Sequence, residues 1–176
     1  MGKLIFITGG ARSGKSTFAV NLARTIKKKK VFIATCLPGD GEMKKRVALH
    51  RKGRPSSWKT VEPGKPLPEI FKKEAAREAV LILDCLTLFV ASLLMKKYTA
   101  RGIRQELDKA LREIKKGKAE VIIVSNEVGS GLVPENKLGR DFRDIAGSCN
   151  QRAAASADEV FCLVAGIPLK IKGEKT

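Results

Sequence analysis

The stretch GGARSGKS at residues 9–16 constrains this chain more than any other. It satisfies the spacing G-x-x-x-x-G-K-[ST] and falls between two segments of different period. Ahead of it, KLIFIT (residues 3–8) is a short, apolar, β-branched run, the pattern of a buried strand. Behind it, Phe18, Leu22 and Ile26 recur at helical spacing through residues 16–27. Strand, glycine-rich turn and helix in that order make a phosphate cradle. Glycines let backbone N–H groups turn inward around phosphate oxygens, and the helix N-terminus adds partial positive charge. Gly9, Gly10, Ala11, Arg12, Ser13 and Gly14 then line the cradle. Lys15 is placed to reach β- and γ-phosphates, and the Ser16 hydroxyl to ligate Mg²⁺.

The rest of the chain repeats the alternation. VFIAT (31–35), AVLILD (79–84) and VIIVSN (121–126) read as further buried strands, and EVFCLVA and PLKIK close the chain as two more. Asp40 is placed to cap a helix over residues 42–51. An apolar helix is expected over 86–97, and an amphipathic one with Ile103, Leu107, Leu111 and Ile114 on one stripe. Another is expected at 137–157, with Leu138, Phe142, Ile145, Cys149 and Ala153 facing inward. Pro55, Pro63, Pro66 and Pro68 mark 55–68 as irregular, and the lysine run at 27–30, which follows a helix, reads as a solvated turn. Continuous apolar strands alternating with helices specify an α/β fold, a mostly parallel sheet covered on both faces. No repeat or linker divides residues 1–176, so one domain is expected, with room for an antiparallel strand at its end.

Composition narrows the chemistry. Four cysteines (Cys36, Cys85, Cys149, Cys162) form no C-x-x-C pair, and His50 is the single histidine, which argues against zinc and for reduced, mostly buried thiols. The run LTLFVASLLM is about half of the ~20 residues a membrane-spanning helix needs. MGKLIFITGG lacks the layout of a signal peptide, so a cytoplasmic location is expected. The net charge of +17 favours anionic ligands without choosing among them. Aromatic residues total 5% and fall mostly in the apolar stripes, leaving no stacking platform for nucleic acid. SNEVG is not the N-K-x-D guanine reader of a regulatory GTPase.

A cradle of this kind works with an acidic group on a neighbouring strand. Asp84, at the end of AVLILD, fits that Mg²⁺-side role, or caps the helix that follows. Glu127 is a second carboxylate at the same edge, where open α/β sheets bind ligands. His50 lies among Arg46, Arg51, Lys52 and Arg54. Those cations disfavour the imidazolium, so a neutral ring is expected. It is then either a surface residue or a nucleophile toward the α-phosphorus of a nucleotide, with the same cations stabilising departing pyrophosphate.

The motif GGARSGKS, the pattern D-x-E-M-x-x-R-V-x-x-H-R-x-x-R-P-x-x-W-x-T-x-E over 40–62, LDCLTL, SNEVGSGLVPEN and FRDIAGSCNQ occur in this order. Together they resemble the bifunctional adenosylcobinamide kinase / adenosylcobinamide-phosphate guanylyltransferase family of cobalamin biosynthesis, over nearly the whole chain. The resemblance implies a RecA-like P-loop NTPase fold and a homotrimer that binds no nucleic acid. It implies phosphorylation of the corrinoid's aminopropanol hydroxyl by a nucleoside triphosphate, ATP or GTP, with Mg²⁺ at Ser16 and Asp84. GMP from GTP then passes through a histidine, His50 by motif match, to that phosphate. GTP contacts are implied at 9–16, Ala34, Thr35, Cys36, Arg51, Lys52, Gly53, Arg54, Glu62 and Asp84, and a part in shaping the corrinoid site for the loop 125–136. The sequence departs from the family pattern at Phe89, Ser92 and Cys149, away from the cradle and the histidine. A single-activity P-loop kinase for another small alcohol, and a basic nucleic-acid-binding ATPase, are the competing readings.

Overall fold

A computed structural model of the chain describes residues 2–35, 55–62 and 65–174. The expected helix at 42–51 lies outside these residues, as do Cys36, His50, Arg51, Lys52, Gly53 and Arg54. Among the described residues seven strands form one sheet: β1 (Leu4–Gly9), β2 (Lys29–Ala34), β3 (Lys59–Val61), β4 (Ala79–Asp84), β5 (Glu120–Val124), β6 (Glu159–Val164) and β7 (Ile167–Lys172). Their order across the sheet is β3-β2-β4-β5-β1-β6-β7. Every neighbouring pair is parallel except β6 and β7, the antiparallel pair at the end of the chain.

Among the described residues five helices cover the sheet: α1 (Lys15–Thr25), α2 (Leu67–Glu74), α3 (Leu86–Met95), α4 (Ala100–Lys116) and α5 (Lys137–Ser156). Side chains alternate across a strand, so each continuous apolar run feeds two cores. Leu4, Phe6, Val31, Leu81 and Ile123 pack against Phe71, Val90, Leu107, Ile114 and Cys149 of the helices α2 to α5. Ile5, Ile7, Phe32, Ile82 and Val124 pack against Ala19 and Ala23 of α1 on the other face. Each fully buried Leu, Ile or Phe contributes about 1.5–3 kcal/mol. The two cores hold the sheet rigid beneath its carboxyl edge.

Three local expectations need correction. Residues 55–68 are not irregular throughout, because β3 pairs with β2 and α2 begins at Leu67. Pro66 stands at the cap of α2 and Pro68 in its first turn, where a missing N–H costs nothing. The Lys59 ammonium reaches the buried Glu74 carboxylate at 2.6 Å, tying β3 to the end of α2. Leu138 does not face inward. It is 54% exposed in the first turn of α5, while Ile145, Cys149 and Ala153 are buried as expected. Lys29 and Lys30 belong to β2 rather than to the turn before it.

The apolar α3 is buried at Leu86, Phe89 and Val90 and emerges at the exposed Met95. Among the described residues no helix is long and apolar enough to cross a membrane. Cys85 and Cys149 are buried free thiols and Cys162 is half-buried.

Candidate nucleotide site

The loop between β1 and α1 has the backbone a cradle requires. Gly9 takes φ +149°, and a Cβ there would collide with the carbonyl oxygen of Leu163 on β6. Gly14 takes φ +90° at the start of α1, a left-handed conformation that glycine adopts without strain. No side chain caps α1, so the first-turn N–H groups are left to the loop. The Lys15 ammonium donates to Gly10 O at 2.5 Å and to Ser13 Oγ at 3.3 Å, which arches the side chain over the loop. Burial lowers the Lys15 pKa below its ordinary value; the neighbouring Cys85, Asp84 and Cys162 offset part of that effect. Ser13 and Lys15 are buried, Ser16 is half-buried, and Gly10, Ala11 and Arg12 are exposed.

The last strand pair braces this loop. Ala165 and Gly166 both have positive φ in the two-residue turn between β6 and β7, the geometry of a type I′ hairpin. Gly166 N–H donates to Ser13 O at 3.1 Å. Nothing in the sequence motif signals this support, since 153 residues separate Ser13 from Gly166.

Asp84 ends β4 in register with Ala34 of β2 and Val124 of β5. Its charge acts on Lys15, so the structure brings the carboxylate and the cradle lysine together. Ala34, Thr35 and Glu62 collect elsewhere on the edge, after β2 and β3. Ala34 and Thr35 lie three inter-strand spacings from β1, roughly 14 Å across the sheet, and Glu62 four, roughly 19 Å, with Asp84 between. Thr35 is buried and its hydroxyl is committed: it donates to Cys85 O and accepts from Cys85 N–H, both at 2.7 Å. Glu62 is exposed. Glu127 is exposed as well; its N–H donates to Gly9 O at 2.8 Å and its Oε1 accepts from Gly129 N–H at 2.7 Å. The carboxylate therefore shapes the turn of its own loop.

The donors suited to a cation here are a hydroxyl, Ser16, and a carboxylate, Asp84. Both are hard oxygen ligands, and no cluster of three or more metal-ligating side chains exists among the described residues. Such a set fits Mg²⁺, which takes few protein ligands and completes its shell with water and phosphate oxygens.

Four residues behind the edge, Thr87, Ser125, Asn126 and Asn150, fall within the motifs LDCLTL, SNEVGSGLVPEN and FRDIAGSCNQ, but the sequence alone assigned none of them an individual role. Asn150 carried a signal. It sits four residues after Ala146 on the buried side of α5, a polar residue on an apolar stripe.

A glycine-rich loop between an interior parallel strand and the first helix, with a lysine over it and an aspartate at the end of a strand two places away, defines a P-loop nucleotide-binding protein. The family described as cobinamide kinase / cobinamide phosphate guanyltransferase matches residues 5–171, and the chain belongs to that family. It is 41% identical to the bifunctional adenosylcobalamin biosynthesis protein CobU of Salmonella typhimurium, over 96% of this chain and 99% of that one. It is 41% identical to the bifunctional adenosylcobalamin biosynthesis protein CobP of Pseudomonas aeruginosa, over 96% of each. Among solved structures it resembles an ATPase of a bacterial type III secretion system (TM-score 0.60, 16% identity, 93% of this chain and 52% of that one). A KaiC-like protein of Pyrococcus horikoshii is also similar (TM-score 0.56, 14% identity, 98% and 80%). At those identities the likeness is one of fold, the RecA-like P-loop fold.

Proposed function

We propose that this chain phosphorylates the hydroxyl of adenosylcobinamide and then joins GMP to that phosphate through a guanylylated His50. The observation that carries this is the relationship to bifunctional proteins over 96% of the chain, which takes in both the cradle and the histidine motif. In the first reaction the alcohol oxygen attacks the γ-phosphorus of ATP or GTP, and the nucleoside diphosphate departs. The residues of the cradle, Gly9 to Ser16, hold the phosphates with their N–H groups and the Lys15 ammonium. Ser16 and Asp84 would hold Mg²⁺, which supplies charge neutralisation on the phosphate oxygens when bound.

In the second reaction an imidazole nitrogen of His50 attacks the α-phosphorus of GTP, and the bond to pyrophosphate breaks. Arg51, Lys52 and Arg54 neutralise the charge that develops on the leaving group. A phosphate oxygen of the corrinoid then attacks the phosphoramidate, forming the diphosphate and releasing neutral imidazole. Ala34, Cys36 and Gly53 supply backbone contacts to GTP, Thr35 its remaining backbone and methyl surface, and Glu62 an acceptor for base or ribose. We further infer one nucleotide-binding domain per subunit and a cytoplasmic homotrimer.

The test is incubation with Mg²⁺ and GTP labelled at the α-phosphate. A phosphoramidate stable to alkali and labile to acid is expected, and His50→Ala should abolish it. A chain that binds GTP yet stays unlabelled overturns the histidine route.

A further inference from the structure

Backbone pairing between β4 and β5 ends at Asp84 and Val124. Beyond that rung a series of side chains takes over. The Cys85 thiol lies 3.0 Å from Thr87 Oγ1, and Asn126 Nδ2 donates to the same hydroxyl at 3.2 Å. Asn150 Nδ2 donates to Asn126 O at 3.1 Å, and Ser125 Oγ donates to Asn150 Oδ1 at 2.6 Å. Thr87, Ser125 and Asn150 are 3%, 0% and 8% exposed. Burying these groups is unfavourable unless each finds a partner, and an apolar set would pack as well. Their location supplies a reason. The series joins the first turn of α3, just after Asp84, to the peptide just before Glu127, whose N–H is bonded to Gly9 of the cradle.

We propose that Thr87 and Asn126 are positioning residues for phosphoryl transfer. Their hydrogen bond continues the β4–β5 junction past the last ladder rung and holds Asp84 in alignment with the cradle. Asn150 and Ser125 fix the Asn126 peptide from behind. The proposal rests on the function given above and on Asp84 working at the phosphates. A group held this way affects the alignment of the reacting atoms more than the capture of nucleotide, whose contacts come from the loop itself.

The measurement is steady-state turnover of GTP with adenosylcobinamide, beside GTP affinity and thermal unfolding. Thr87→Val keeps the shape and removes the hydroxyl. It should lower kcat about 10-fold, the effect of losing a group that orients a ligating side chain, with GTP affinity changed less than about 2-fold. Thr87→Ser should restore turnover. Asn126→Ala should match Thr87→Val, and the double variant should be no slower than either, because both remove the Thr87–Asn126 bond on which the alignment depends. Full turnover in Thr87→Val, no rescue by serine, or additive losses overturns the positioning role. Full turnover in Asp84→Asn overturns the assignment of Asp84 and this proposal with it. An unaltered chain that never turns over adenosylcobinamide overturns the function itself, and the proposal falls too.

Discussion

The Thr35 hydroxyl and the Cys85 peptide are joined twice, donor to acceptor in both directions, at 2.7 Å each. This closes the gap where β2 and β4 stop pairing and fixes the residue after Asp84. Thr35→Val keeps the volume and leaves a buried N–H and a buried C=O without that partner. Each such loss costs about 1–3 kcal/mol, so urea unfolding should show a loss of roughly 2 kcal/mol or more. Thr35→Ser should recover most of it. A valine variant as stable as the natural chain would show that the double bond contributes nothing net.

Gly9 and Gly10 are adjacent in the motif and differ in what surrounds them. A Cβ at Gly9 meets the backbone of Leu163 on β6, which cannot move without breaking the β1–β6 ladder. A Cβ at Gly10 meets nothing within 4 Å. Gly9→Ala should therefore destabilise the fold by about 2 kcal/mol or more, whereas Gly10→Ala should stay within about 0.5 kcal/mol. Thermal unfolding without nucleotide separates the two, since it reads the packing of the loop and not its ligand.

The buried thiols of Cys85 and Cys149 set a pH dependence in the alkaline range. Burial, joined by the Asp84 charge, raises Cys85 from 9.0 to about 11, against the pull of its hydrogen bonds to Thr87 and Leu88 and of Lys15. Burial raises Cys149 to about 11 as well, with Arg104 and Arg152 opposing. A thiol whose pKa is raised on folding contributes stability that is complete below pH 9 and is lost as pH climbs toward 11. Lys15 acts in the other direction, because its lowered pKa makes the folded state gain as pH rises toward 10.5. Replacing Cys149 by alanine should flatten the decline in urea midpoint between pH 9 and 11. Iodoacetamide at pH 8 should label the half-buried Cys162 ahead of Cys85 and Cys149, which react only on unfolding.

The cradle was legible because its information is contiguous. The eight residues from Gly9 to Ser16 are one turn of chain, and the left-handed positions and the lysine lie within it. The parallel strands were legible for a related reason: a strand buried on both faces is an unbroken apolar run wherever it lies in the sheet. β3 was not. Three residues, Lys59, Thr60 and Val61, carry no pattern of their own and become a strand only because β2 offers an open edge. Leu138 fits a helical stripe by spacing, yet it stands exposed in the first turn of α5, where no neighbouring element among the described residues covers it.

By itself the sequence determined that the chain binds a nucleotide through a P-loop and, through motifs spread from Gly9 to the FRDIAGSCNQ stretch, which family's chemistry it shares. Tertiary structure alone decided that Thr35 closes on Cys85, that Thr87 meets Asn126, and that Gly166 braces Ser13. These partners are 50, 39 and 153 residues apart. The physical reason is that a buried hydroxyl or amide must find a partner, and which one is at hand depends on the order β2-β4-β5-β1-β6 across the sheet.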